Sequence, residues 1–151
     1  MCGILFTDNL SIQDCDFNRA LGLMDHRGPD SKSQYSLNKK YKLGHTRLKI
    51  LDLENRSNQP FFSHDKRYVM VYNGEIYNYT ELAKEYNIAM KTSGDTEVLL
   101  ELYSKLGPRM LQKLNGMFAI VILDTKTNSI FAARDRLGIK PLYYFTNGNS
   151  L

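Results

Sequence analysis

At 151 residues, with 42% hydrophobic and 24% charged positions, the chain has the composition of one globular domain and is too short for two full ones. Twenty basic against sixteen acidic residues give a net charge of +4; the basic positions are scattered, with Lys39-Lys40 the nearest approach to a cluster, which reads as solvated surface and not as a nucleic-acid footprint. No apolar run approaches the roughly 18 residues of a membrane span and no signal peptide opens the chain, so a soluble, cytoplasmic protein with no membrane partner is expected.

In chain order, Gly3 to Phe6 reads as an opening strand. Ser11 is placed to cap a helix whose apolar positions Phe17, Leu21 and Met24 recur at spacings of four and three. That helix stops at the loop His26-Arg27-Gly28-Pro29-Asp30, where Arg27 and Asp30 are expected to brace the loop near the N-terminus. Residues 33–37 and 41–48 read as a strand pair around Asn38-Lys39-Lys40. Residues 55–59 form a polar turn closed by Pro60. Tyr68 to Tyr72 is a buried strand that ends in Asn73-Gly74-Glu75-Ile76-Tyr77-Asn78. A short helix over 79–86 precedes a longer one, capped by Asp95 or Thr96, with Val98, Leu99, Leu102 and Leu106 as its stripe and Gly107-Pro108 as its break. A further short helix covers 109–114. Residues 117–123 and 130–133 form a hairpin buried on both faces or nearly so. Leu142 to Phe145 is an aromatic strand, followed by the hairpin signal Asn147-Gly148, which implies a returning strand beyond Leu151 and an open edge without it.

Cys2 carries a thiol one residue from the start of the chain. Removal of Met1 gives it a free α-amine as well, and an amine titrating near ~7.7–8.0 can take the proton of a thiol titrating near ~8.5 without a separate histidine. The alternative is a small apolar residue opening a strand. Cys15 reads as a packing residue on the first helix. The two cysteines suggest neither a disulfide framework nor a zinc cluster, and His26, His45 and His64 lack metal-ligand spacing, so no metal site is expected.

Seven motifs in one order carry a resemblance. Cys2-Gly3-Ile4, His26 to Asp30, Arg47 to Asp52, Asn73 to Asn78, Gly94-Asp95-Thr96-Glu97, Leu114 to Ala119 and Arg134 to Gly138 resemble the class II glutamine amidotransferase domain, most closely the glutaminase domain of glutamine-hydrolysing asparagine synthetases. The resemblance implies an α+β fold, a four-layer αββα sandwich of the N-terminal-nucleophile hydrolase type, here spanning residues 1–151 without its C-terminal part. It implies Cys2 as nucleophile, with Asn73 and the Gly74 amide as oxyanion donors. The chemistry asks for such donors, because amide hydrolysis through a thiol develops charge on a tetrahedral oxygen. Arg47 is implied to clamp the α-carboxylate of glutamine and Asp95 to pair its α-ammonium, with further contacts at Ile50, Leu51 and Glu75. Alone, Asn73-Gly74 could be a tight turn, Arg47 an exposed strand arginine and Asp95 a helix cap. The glutaminase half-reaction implies no cofactor. ATP and Mg2+ would belong to a synthetase domain of the ATP pyrophosphatase type, in the same or another chain, and a homodimer is a further possibility. A non-catalytic glutamine-binding module and an amidotransferase part acting on a sugar acceptor are the alternatives.

Overall fold

The computed structural model describes residues 1–147 and 150–151. Two antiparallel sheets form its centre. The first has the order β1-β3-β2, built from β1 (Gly3–Thr7), β2 (Ser31–Leu37) and β3 (Tyr41–Arg47). Gly3 stands opposite Thr46, and Ser31 opposite Arg47, so the N-terminal end of β1 and the C-terminal end of β3 lie side by side. The hairpin between β2 and β3 turns on Asn38 and Lys39, both with positive φ. The second sheet has the order β4-β5-β6-β7, from β4 (Phe61–Phe62), β5 (Tyr68–Ile76), β6 (Gly116–Asp124) and β7 (Ser129–Arg134).

Side chains alternate faces along a strand, and β5 uses both of its faces. Val69 and Val71, with Val121 and Leu123 of β6, pack against Tyr41 and Leu43 of β3, which joins the two sheets. Met70, Tyr72 and Ile76, with Phe118, Ile120 and Ile122, face the helices α2 (Tyr79–Glu85) and α3 (Asp95–Leu106). Val98, Leu99 and Leu102 of α3 fill that second core, and burying each such side chain contributes about 1.5–3 kcal/mol. Helix α1 (Asp14–Gly22) sets Phe17 and Leu21 against Gly44 of β3, where a β-carbon would stand 3.0 Å from the Phe17 ring and from both Leu21 methyls. Among the described residues no helix is long and apolar enough to cross a membrane.

Several expectations need correction. The first helix begins at Asp14 with Gln13 before it, not under a Ser11 cap, and it ends before Met24. Cys15 is exposed, because it lies about 200° around the helix from Phe17 and so faces away from the buried stripe. The segments at 25–27, 55–57 and 107–112 are 3-10 turns, the last replacing the helix expected at 109–114. In the hairpin, β6 is buried from Phe118 to Asp124, whereas β7 is an edge strand with Ser129, Ala132 and Arg134 exposed and no residue fully buried. Leu142 to Phe145 forms no strand. Leu142 packs at the margin of the inter-sheet core, while Tyr143, Tyr144 and Phe145 are 79% to 91% exposed. The residues are apolar, but among the described residues no neighbour supplies a ladder. Gly148 of the expected Asn147-Gly148 turn lies outside the described residues.

Candidate active site

Cys2 precedes β1 and is half-buried. Its backbone is held on three sides. Its N–H donates to Asn73 Oδ1 at 3.1 Å, its carbonyl accepts from Arg27 Nε at 3.2 Å, and the next amide, of Gly3, donates to Thr46 Oγ1 at 3.1 Å. Arg27 reaches this position because Gly28 packs directly on the Thr46–Arg47 backbone, where a β-carbon would come within 2.3 Å of the main chain. Asp30, the other polar residue of that loop, accepts from the Lys49 amide, so the two residues brace different partners and not each other. The thiol faces the Leu48 amide at 3.5 Å. Burial pushes the Cys2 thiol up, and the Leu48 amide and the Arg47 guanidinium oppose that only in part. Left to itself, such a thiol is a poor nucleophile near neutral pH and needs a base.

Asn73 and Gly74 lie within β5, not past its end. Ladder alternation explains why they can still serve a site. Asn73 pairs with Ala119, but the Phe118 opposite Gly74 directs both backbone groups to the other side, toward Asp135. The amides of Tyr72, Gly74 and Ile76 therefore point to the free edge of β5. There Tyr72 N–H donates to Gln59 Oε1 and Ile76 N–H to Asp95 Oδ2, and between them the Gly74 N–H makes no hydrogen bond among the described residues. Glycine is required here, since a β-carbon would meet Met117 O at 2.2 Å. Accepting from the Cys2 nitrogen at Oδ1 leaves the Asn73 Nδ2 donor directed to the other side of the carboxamide.

These groups line one cavity of about 140 Å³, with Arg47, Ile50, Leu51, Glu75, Asp95 and Lys140 in its wall. Asp95 is 5% exposed. Its Oδ2 accepts from Tyr72 Oη at 2.7 Å and from the Ile76 amide at 2.8 Å, so it reaches back to β5 and does not cap α3. Burial pushes its carboxyl up, while the Ile76 and Tyr72 donors pull it back. Arg47 is buried, not exposed, and its fork is occupied by the loop that follows. Nη1 donates to Glu54 O and Asn58 Oδ1, and Nη2 to Leu51 O and Asp52 O. Asp52 extends the arrangement by accepting from the Ser93 amide and Arg56. The loop carrying Ile50 and Leu51 is thus fastened at both ends, although Ile50 itself remains exposed.

Sequence reasoning missed Lys140, which was not singled out, and the internal use of Arg47. It also left His45 without a role. His45 is 1% exposed on β3; its Nε2 lies 3.3 Å from Tyr72 O and its Nδ1 is buried without a partner. The carbonyl can only accept, so Nε2 carries the proton. Burial lowers its pKa from 6.5 to about 4. An unfolded chain therefore binds this proton more readily than the folded one. Stability from this group is full above pH 6.5, falls as the pH drops through that value, and levels off below about pH 4. The total loss should be about 3 kcal/mol. Urea titrations across this range should show His45→Asn flattening the fall, and an unchanged slope in the variant would remove His45 as its cause.

The same residues are matched by known proteins. A family model described as a glutamine amidotransferase domain matches residues 1–151. The chain is 43% identical over 95% of its length to asparagine synthetase (glutamine-hydrolyzing) 2 of Bacillus subtilis, and 42% identical over 80% to asparagine synthetase B (glutamine-hydrolyzing) of Escherichia coli. It is 40% identical over 95% to asparagine synthetase (glutamine-hydrolyzing) 1 of Arabidopsis thaliana. The chain spans 20% to 33% of the length of the relatives it matches. A half-buried cysteine tied to Asn73, an unused glycine amide beside it and a full-length family match lead to one statement: this chain belongs to the glutamine amidotransferase domain family.

Proposed function

We propose that the chain hydrolyses glutamine to glutamate and ammonia, as the glutaminase part of an asparagine synthetase-like amidotransferase. The observation that carries this reading is the grouping of Cys2, Asn73, the open-edge Gly74 amide, Arg47 and Asp95 around one cavity. After Met1 is removed, the Cys2 α-amine takes the thiol proton and the thiolate attacks the side-chain carbonyl carbon of glutamine. Asn73 Nδ2 and Gly74 N–H hold the oxyanion, and the protonated amine returns its proton to the departing ammonia. Water, deprotonated by the same amine, then cleaves the thioester to give glutamate. Asp95 receives the α-ammonium. Arg47 takes the α-carboxylate by exchanging loop carbonyls at Nη2, with Nη1 still anchored on Glu54 and Asn58. Ile50, Leu51 and Glu75 complete the wall around the substrate.

The packing of α1 on Gly44 of the first sheet, of the two sheets on each other and of α2 and α3 on the second sheet supports a four-layer αββα sandwich of the N-terminal-nucleophile hydrolase type. Hydrolysis of this kind requires only water. ATP and Mg2+ enter with a synthetase domain, in this chain or a partner, that uses the ammonia on aspartate. A processed preparation should release glutamate from glutamine and lose that activity in Cys2→Ser. Calorimetric binding of glutamine with no release would instead establish a binding module.

A further inference from the structure

The motif Arg134 to Gly138 takes no part in the chemistry above, yet its aspartate organises the wall of the cavity. Asp135 is 4% exposed, and its carboxylate accepts from the amides of Phe118, Leu137, Ile139 and Lys140 at 2.9 to 3.2 Å. Burial works against its charge, but these four donors hold the carboxyl below its usual range. The ring of donors curls residues 135–140 against β6 and fixes the backbone of Lys140. The side chain of Lys140 then enters the nucleophile cavity, 6% exposed, with Nζ 3.1 Å from Met1 Sδ. A thioether is a weak acceptor, and Lys140 makes no ion pair among the described residues. Removal of Met1 takes even that partner away. A buried ammonium without a partner is costly unless it does something for its surroundings.

Resting on the reading of Cys2 as the nucleophile, we propose that Lys140 is a positioning residue whose ammonium sets the pH at which the Cys2 amine–thiol pair becomes reactive. A fixed cation beside the pair disfavours a second ammonium on the α-amine and favours the thiolate. Both effects act in the same direction, toward reactivity at lower pH. The other charged groups facing Cys2 act in both directions. Arg27 is held by the Cys2 carbonyl, and Arg47, fixed on its loop, already pulls the thiol down, while Asp95 and Glu75 are acidic and the Tyr72 hydroxyl is bound to Asp95. Lys140 is the cation in this cavity that no protein oxygen consumes among the described residues.

The test uses the full chain with Met1 removed and Cys15→Ser, so that iodoacetamide reports Cys2 alone. Alkylation rates, read by mass spectrometry across the neutral and alkaline range, give the apparent midpoint of the pair without any need for turnover. Lys140→Met should raise that midpoint by about half a unit to one unit, and Lys140→Arg should restore it. Lys140→Gln replaces the methionine variant if the latter does not fold. The acid limb of kcat/KM for glutamine should move by the same amount. Superimposable alkylation profiles for all variants would overturn the role of Lys140 and leave the glutaminase reading intact. A shifted alkylation midpoint in a protein that releases no glutamate would sustain Lys140 and sink the glutaminase reading.

Discussion

Protein that retains Met1 should release glutamate at on the order of 10²–10⁴ below the rate of processed protein, the range that a positioned general base contributes. With Met1 attached, the nitrogen of Cys2 is a planar amide without a basic lone pair, and it already donates its single hydrogen to Asn73 Oδ1. Burial pushes the thiol further from ionisation, so the thiolate population falls below the few per cent that a free cysteine would hold at neutral pH. Met1 also lines the cavity beside Cys2, with its thioether against Lys140. Its loss should leave the fold as it is, since Met1 is largely exposed and precedes β1. Mass spectrometry defines the state of each preparation, and circular dichroism should overlay the two. Equal turnover in both states would eliminate the terminal amine as the base.

The second large effect separates two residues of one cavity. Asn73→Ala should lower kcat by on the order of 10²–10³ with a modest change in KM, because a donor aimed at a developing oxyanion acts only as charge accumulates. The same change also frees the Cys2 nitrogen from its acceptor, so part of the loss is misorientation of the nucleophile. Asp95→Ala should act mainly on KM, since an ammonium is paired equally in the ground and transition states. Asp95→Ala also strands the Tyr72 hydroxyl and the Ile76 amide, so Asp95→Asn, which preserves their acceptor, is the cleaner variant. Steady-state kinetics should show the two variants displaced along different axes. Parallel losses in both parameters for both variants would remove the distinction.

Much of this architecture was legible because burial leaves a local trace. The strand pair read around Asn38-Lys39-Lys40 fell within two residues of β2 and β3, and the continuous apolar run of β6 marked a strand covered on both sides. Gly107-Pro108 stopped α3 at the expected point, with Gly107 at a φ of 58°. The family was legible from seven short motifs whose order no single pattern would have supplied. What could not be read were relations between distant segments. Nothing near Arg47 announces that its guanidinium will be filled by carbonyls four to seven residues on, and nothing near Lys140 announces Cys2. The aromatic run at 142–145 misled for the same reason: strand propensity describes a surface that suits pairing, and a partner has to be present.

The two donors proposed for the oxyanion ride on β5, the strand enclosed by both cores. Their placement is therefore a product of folding itself and asks for no ordering when substrate arrives. In the proposed reaction the entropy lost on binding would fall on glutamine and on the side chains of the 48–54 loop, while the donors would meet the developing charge already immobilised. That arrangement has a thermal counterpart. Because Asn73 and Gly74 share one strand between the two cores, both donors should stay in place on warming until the sheet melts and then be lost together.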